Sequence, residues 1–358
     1  MTDIITILGI ESSCDDTAAA VVQRINGKAL VLSSVVVGQE ILHEAYGGVV
    51  PEIAARAHAE QLDIAVEKAL VQSDIKLEHV DAIAVTSGPG LIGGVVSGVM
   101  CAKGLAAGMN KPLIGVNHLV GHALTPRMTD SISYPYLMLL VSGGHCQFLA
   151  VLSETEFDRI GGTIDDAPGE AFDKTAKLLG IEFPGGPQIE VLAKKGDPNK
   201  YDLPKPIFNK GGCNLSFAGL KTAVLRITKN IKTDQEKFDL AASFQKTVLE
   251  ILYKKTKIAF EEFEKQNNLR NKIFVVAGGV AANKKIRSML IDLCHEKNYQ
   301  SVFPSIELCG DNAAMIAMVG LEKFKLKQFS NLDYPAKPRW PLDKDAIFLK
   351  GAGVKLES

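Results

Sequence analysis

No Cys-x-x-Cys pair occurs in this chain. Its six cysteines (Cys14, Cys101, Cys146, Cys213, Cys294 and Cys309) are scattered, which argues against a zinc ribbon and a disulfide framework and for reduced thiols. Neither sign of charge prevails. Forty Lys and Arg meet 41 Asp and Glu, for a net charge of −1, so any surface for nucleic acid has to be local. The N-terminus, Met1-Thr2-Asp3-Ile4, lacks the basic region of a signal peptide. Walker A and Rossmann glycine fingerprints are both missing. One nearly uncharged stretch, residues 91–109, is about long enough to cross a bilayer. It carries Lys103 near its middle and is rich in Gly, Ala and Ser, so a closely packed helix of a soluble domain is expected there.

What is present fits two domains. The chain has 358 residues, 46% of them hydrophobic, too many for one small core. Ile5 to Ile10 reads as a buried strand, Glu11 to Thr17 as a polar turn, and residues 18–24 and 29–38 as two further strands, an antiparallel meander. From Pro51 apolar residues recur at helical spacing. A strand at 81–86, a helix at 93–109, a strand at 112–116 and a helix from His118 follow. A second meander is expected from Tyr136 (136–142, 147–152, 157–160), with helices at 169–179, 238–263, 283–297 and 311–324 and a strand at 272–277. Residues 180–230 read as irregular. The two halves share one plan, which predicts two similar α/β domains with a cleft between them. The expected boundaries are 1–130, 131–326 with a basic insertion at 180–232, and a tail at 327–358 that packs back on the body.

Several stretches carry chemistry. His118 and His122 stand four residues apart, so on a helix both rings share one face and could reach one divalent ion. Asp311, at a helix start late in the chain, is the third ligand we select; two imidazoles and a carboxylate leave open positions on an ion. The competing reading is that the histidines line a core. No Glu follows His118, so the general base of His-Glu-x-x-His proteases is absent. Ser142-Gly143-Gly144 between two strands either approaches an anion through its N–H groups or forms a tight hairpin. Ala277 to Asn283 runs from strand through glycines to helix, which suits a nucleotide at a helix N-terminus. Asp15 and Asp16 are either turn residues or acid–base groups. Asp165-Asp166 with Glu170 and Asp173 is a further acidic cluster at a helix start. From Glu190 to Lys232, nine Lys and Arg face three Asp and Glu, a local basic patch or a solvated loop.

Taken in order, Gly9-Ile-Glu-Ser-Ser-Cys-Asp15, Tyr46-Gly-Gly-Val-Val-Pro-Glu52, Ser87-Gly-Pro-Gly90, Asn117 to His122, Leu140 to His145 and Asp165 to Lys174 closely resemble one family. So do Phe183-Pro-Gly-Gly-Pro187, Ser216-Phe-Ala-Gly-Leu-Lys221, Ala277 to Asn283, Asp311-Asn312 and Pro338-Arg-Trp-Pro341. The family is the universal tRNA threonylcarbamoyladenosine transferase subunit. The resemblance implies an actin-like, sugar-kinase-like fold of two RNase H-like domains with an interdomain nucleotide and metal cleft. It implies transfer of threonylcarbamoyl from threonylcarbamoyl-AMP to N6 of the adenosine 3′ of the anticodon, in tRNAs reading codons that begin with A. By position, His118, His122 and Asp311 match the metal ligands, iron(II) or zinc. Leu140, Val141, Ser142, Gly143 and Gly144 match the phosphate-contacting turn. Asp173, Gly186 and Asn283 match nucleotide contacts, with Glu190 a ribose candidate. Asp15 and Asp16 match an acidic pair whose second member is often Glu in bacterial relatives.

The resemblance also implies partners: tRNA, a degenerate actin-like paralogue subunit, a small P-loop ATPase and a separate enzyme making threonylcarbamoyl-AMP. No membrane is implied, and a cytoplasmic, bacterial-type member is expected. Two other readings remain open at this level: an actin-like ATPase or small-molecule kinase, and a nucleotide-gated scaffold for tRNA modification.

Overall fold

Ile7 and Gly9 alternate with Leu8 and Ile10 along the first strand, and all four are buried. A strand buried on both faces needs a layer on each. The computed structural model supplies both layers. It describes residues 4–346 apart from 47, 131, 183, 268–270 and 344–345. The chain divides into two units, residues 1–131 with 310–342 and residues 132–309 with 343–358.

The first unit is built on β1 (Ile5–Glu11), β2 (Asp16–Ile25), β3 (Lys28–Gly38), β4 (Ala82–Gly88) and β5 (Leu113–Asn117), with helices α1 (Pro51–Ser73), α2 (Ile92–Met109) and α3 (His118–Thr129). Strand order is β3-β2-β1-β4-β5. The first three strands pair antiparallel, and β4 and β5 join parallel. Leu8, Ile10, Ala19 and Val21 pack against Leu62, Ala65, Val95 and Val99 of α1 and α2. One face of the long apolar stretch at 92–109 is therefore inside this core: Gly94, Val95, Gly98, Val99, Ala102 and Ala106 are buried.

The second unit repeats the plan. Its strands are β6 (Tyr136–Val141), β7 (Cys146–Val151), β8 (Phe157–Gly162), β9 (Ile273–Ala277) and β10 (Gln300–Val302). Read from its far edge, the order is β8-β7-β6-β9-β10, again an antiparallel meander followed by two parallel strands. Its helices are α4 (Pro168–Leu178), α5 (Gly185–Ala193), α6 (Ala218–Thr228), α7 (Asp234–Gln266) and α8 (Lys284–Lys297). Leu137, Leu139 and Val141 share one core with Phe244, Val248 and Phe260 of α7.

The last helix, α9 (Ala313–Lys325), returns to the first unit. A boundary at 326 is therefore corrected to one at 310. The cause is close packing: a Cβ on Gly9 would lie 2.2 Å from the Ala313 carbonyl oxygen, and one on Gly320 2.7 Å from Ala84 Cβ. The tail up to Leu342 stays with this unit. Ser330 N–H donates to Leu113 O (2.8 Å) and Lys337 N–H to Ser87 O (2.6 Å). The part of the expected tail after residue 346 lies outside the described residues.

Two helices occupy the stretch read as irregular, 180–230. Each begins on a carboxylate remote in sequence. Gly185 N–H of α5 donates to Asp173 Oδ1 (2.9 Å), and Phe217 and Ala218 N–H at the start of α6 donate to Asp165 Oδ1 (2.7 and 3.2 Å). Caps supplied from elsewhere leave no local signal. Helix α7 starts at Asp234 rather than 238, because Thr233 and Glu236 form a capping box. Asn312, not Asp311, caps α9, accepting from Met315 N–H (2.9 Å).

Gly9→Ala should cost about 1–3 kcal/mol, the usual toll of overpacking, because the intruding methyl meets backbone rather than a yielding side chain. Denaturant unfolding checks this, and the loss of bound metal should accompany it, since the same displacement moves Asp311.

Candidate functional site

Strand β5 ends at Asn117 and α3 begins at the next residue. Asn117 Oδ1 accepts the Leu119 N–H (2.9 Å), while its Nδ2 donates to the Trp340 carbonyl of the tail (2.9 Å). The cap thus fixes the first turn of α3 and ties it to the tail. His118 and His122 stand one turn apart with ring centroids 4.8 Å from each other. Asp311 meets both: its Oδ1 lies 3.4 Å from His118 Nε2 and 3.2 Å from His122 Nε2. Ligands each about 2.1 Å from one ion stand about 3.0–3.4 Å apart; the two contacts of Asp311 match that spacing, and all three ligand atoms lie within 4.8 Å of one another, a group that could hold one divalent ion. They are the one such group of His, Cys, Asp and Glu among the described residues.

A fourth residue supports the group and was not singled out in the sequence. Glu11 ends β1 with no exposure. Its Oε2 accepts from His118 Nδ1 (2.9 Å) and from Thr86 Oγ1 (2.5 Å), and its Oε1 accepts from Ser13 N–H (2.6 Å). Holding the proton on Nδ1 turns the Nε2 lone pair towards the ion position and raises its basicity. The signal was available: a carboxylate closing an apolar strand must find partners or lose its charge. His122 lacks such a brace among the described residues, where its buried Nδ1 meets no hydrogen-bond partner.

Electrostatics follow from the enclosure. Burial works against charge on His118, but Asp311 and then Glu11 outweigh it and hold the imidazole well above its ordinary value. Burial likewise opposes ionisation of Asp311, and His118 overcomes it, so this carboxylate sits well below the usual range. Asp16 goes the other way. Burial first, then the negative charge of Asp311, Asp15 and Glu40, pushes it up to about 8.

In the second unit, β6 and β7 are joined by the Ser142–His145 turn, where Ser142 Oγ accepts from His145 N–H (3.2 Å). The turn packs against the start of α4: Glu170 N–H donates to Gly143 O (3.1 Å). Gly278, with φ +101°, brings the next glycine turn against it, since a Cβ there would lie 2.4 Å from Val141 O. A left-handed backbone and this close approach both require glycine. Around α5, Asp173 accepts from Gly185, Gly186 faces open space, and Glu190 Oε1 accepts from Lys284 N–H (3.3 Å) at the start of α8. Asn283 caps α8 through Oδ1 and donates Nδ2 to Gln245 Oε1 (3.1 Å), which leaves one amide hydrogen free for a ligand. The residues selected from sequence therefore fall into two groups. His118, His122, Asp311, Asp15 and Asp16 lie in the first unit, and Leu140 to Gly144, Asp173, Gly186, Glu190 and Asn283 in the second. Asp165 and Asp166 are engaged structurally, the first with α6 and the second with Lys174 (2.9 Å).

Residues 30–318 match the family model TsaD, tRNA N6-adenosine threonylcarbamoyltransferase. The chain belongs to the tRNA N6-adenosine threonylcarbamoyltransferase family. Curated relatives bearing that name include one from Pelagibacter ubique, 66% identical over 98% of both chains, and one from Ruegeria pomeroyi, 55% identical over 99% of both. Among solved structures, the HypF of T. kodakarensis is similar over 92% of this chain and 49% of its own (TM-score 0.57, 14% identity). A ROK hexokinase from Thermus thermophilus is similar over 90% and 100% (TM-score 0.50, 16% identity). These two likenesses establish the actin-like, sugar-kinase-like fold of this family member and nothing about its chemistry.

The raised Asp16 carboxyl gives a pH signature. The folded state keeps the Asp16 proton up to about pH 8, whereas the unfolded chain releases it near pH 4. Stability is therefore lost as pH rises through that window. In metal-stripped protein, Asp16→Asn should flatten the fall in melting temperature between about pH 5 and pH 8; parallel curves for the variant and the wild type would contradict the assignment.

Proposed function

We propose that this chain transfers threonylcarbamoyl from threonylcarbamoyl-AMP to N6 of the adenosine 3′ of the anticodon in tRNAs reading codons that begin with A. The observation that carries the reading is the convergence of His118, His122 and Asp311, braced by buried Glu11, in a member of this family.

The donor is a mixed carbamic–phosphoric anhydride and is already activated. The acceptor is the difficulty, because its exocyclic lone pair is delocalised into the purine. In the transfer, N6 attacks the carbamoyl carbon, the carbon–oxygen bond to phosphate breaks, AMP leaves with the electron pair, and one amine proton must be taken up. We assign the orientation of N6 and the uptake of that proton to the Asp15–Asp16 turn, a contribution of roughly 10²–10⁴-fold. Asp16, held near 8, keeps its proton at neutral pH in the absence of a cation. We assign the adenylate to the second unit: Leu140, Val141, Ser142, Gly143 and Gly144 for phosphate, and Asp173, Gly186, Glu190 and Asn283 for the nucleoside. A divalent ion on His118, His122 and Asp311, iron(II) or alternatively zinc, would stabilise the charge that develops as AMP leaves. An anticodon loop presents its base without a duplex to open, and we assign the enzyme to the cytoplasm, as the family resemblance implies.

Partners follow from the same reading. Ile92, Val96 and Met100 recur every fourth residue along α2 and are 54%, 41% and 58% exposed. The exposed Gly104 continues the row. A small, apolar helix face of this kind suits another helix at close range. We assign it to the degenerate actin-like paralogue subunit, with the small P-loop ATPase and the adenylate-forming enzyme acting with or upstream of the pair.

Labelled threonylcarbamoyl, supplied as the adenylate with cognate partners and unmodified tRNA, should appear on tRNA with the wild type. It should fall at least about 100-fold with His118→Ala. Retention in the variant would make the metal structural; ATP turnover without transfer would favour a kinase or ATPase. Separately, Val96→Glu with Met100→Glu should abolish co-elution with the paralogue subunit in size-exclusion chromatography while the isolated chain keeps its melting temperature.

A further inference from the structure

Behind the Asp15–Asp16 turn lies a row of buried polar side chains that neither the metal group nor the nucleotide surface uses. Gln39, His43 and His58 are 1%, 0% and 0% exposed, and Thr17 is fully buried. Cys14 O and Thr17 Oγ1 flank the acidic pair in sequence, and both bond the same ring: His58 Nε2 lies 3.1 Å from Cys14 O, and His58 Nδ1 lies 2.8 Å from Thr17 Oγ1. Gln39 Nε2 lies 3.4 Å from Thr17 Oγ1, His43 Nε2 lies 3.3 Å from Gln39 Oε1, and Val50 N–H donates to His43 Nδ1 (3.3 Å).

The two ends of this row decide the tautomer of each ring, while the Gln39 amide, 3.5 Å from His58 Nδ1 as well as near Thr17, faces two acceptors. A backbone N–H can only donate and a carbonyl can only accept. Val50 therefore takes the lone pair of His43 Nδ1, so His43 carries its hydrogen on Nε2 and gives it to Gln39 Oε1. The Gln39 amide donates to Thr17 Oγ1. At the other end His58 must carry hydrogen on Nε2 to reach Cys14 O, so its Nδ1 accepts from the Thr17 hydroxyl. Burial lowers the affinity of His58 for a second proton, which keeps the ring neutral, as the row requires. Helix α2 and the turn just before it make room for this arrangement. A Cβ on Gly94 would lie 2.9 Å from His58 Cδ2 and 2.3 Å from Ser12 O, and one on Gly90 2.5 Å from Ser13 O.

We propose that His58 is a positioning residue for threonylcarbamoyl transfer: its two ring nitrogens grip the chain on both sides of Asp15–Asp16 and hold the pair at the acceptor amine. The inference rests on the assignment of that pair to the acceptor. A buried, paired row whose ring tautomers are set from both ends holds its members in place, and a misplacement of about 1 Å at a reacting group can cost about 100-fold in rate.

The test measures steady-state transfer with the full set of partners and tRNA, together with bound metal per chain and melting temperature. His58→Leu should lower kcat about 10–100-fold with KM for tRNA and metal content unchanged. His58→Gln, whose amide can donate to Cys14 O and accept from Thr17, should recover most of kcat. Should His58→Leu fail to fold, Thr17→Val removes a single hydroxyl from a side chain of equal shape and should lower kcat, while Thr17→Ser restores it. Asp15→Asn and Asp16→Asn run alongside. If either of these loses transfer while folded His58→Leu or Thr17→Val keeps full kcat, the positioning role is overturned alone. A rise in KM or a fall in metal content, with kcat unchanged, overturns it as well. If both asparagine variants keep transfer, the assignment of the acidic pair fails and the positioning role falls with it.

Discussion

Much of the first unit depends on one buried carboxylate. Glu11 is fully enclosed, and an ionised carboxylate in that position needs donors on every side. It obtains them from three parts of the chain: the Ser13 N–H in the following turn, the Thr86 hydroxyl on β4 and the His118 ring on α3. These bonds join the end of β1 to the neighbouring strand and to the helix that starts after β5. They orient His118, and through His118 and His122 they set where Asp311 has to arrive. Asp311 can arrive there because α9 lies directly on β1, at the place where Gly9 offers no side chain. The fold element and the candidate ion site are thus one arrangement.

The opening turn is held by contacts of a different kind. Its far side presses into α2 and the turn before it, where Gly94 and Gly90 have no side chains as the backbone of Ser12 and Ser13 passes, and Ser12 Oγ donates to Gly94 O (2.9 Å). Charge on one side and close backbone contact on the other leave the turn little freedom. Such rigidity suits groups that must meet a reacting amine at a defined distance. The tail adds to it from below, since the Trp340 carbonyl holds the amide of Asn117, whose oxygen caps α3.

Legibility in the sequence divided along physical lines. The strands and the longer amphipathic helices were readable because their periodicity is local; β1, β2, β6 and β9 fall within a residue or two of the expected limits. The repeated meander was enough to anticipate two like domains. Helices α5 and α6 were missed because their first N–H groups are capped by Asp173 and Asp165, which stand 12 and 52 residues away. The placement of α9 in the first unit was missed for the same reason: the contact of Ala313 with Gly9 spans most of the chain. At the site, His118 and His122 were visible from spacing, and Asp311 from its place at a helix start. Glu11 lay inside a quoted motif without an assigned role, although a charged residue at the end of Ile5–Glu11 is itself the clue. His43, Gln39 and His58 gave no signal, because a buried polar row is defined only by the geometry that pairs it.

The same enclosure bears on which route the transfer takes. A thiol stands beside the acidic pair, and an acyl transfer might be expected to pass through it. Cys14 is unsuited to that role. Burial first, and then the Asp15 carboxylate, push its thiol well above the ordinary range, and a nucleophilic cysteine needs the opposite surroundings, a nearby cation or helix N-terminus that favours thiolate. The other buried thiols, Cys146, Cys213, Cys294 and Cys309, are pushed up by burial as well. A donor that is already an anhydride gains little from a covalent relay, whereas a delocalised amine gains much from a carboxylate held against it. The site is arranged for the second need: it holds the Asp15–Asp16 turn in place, braces it from behind through His58, and leaves the attacking atom to come from the substrate.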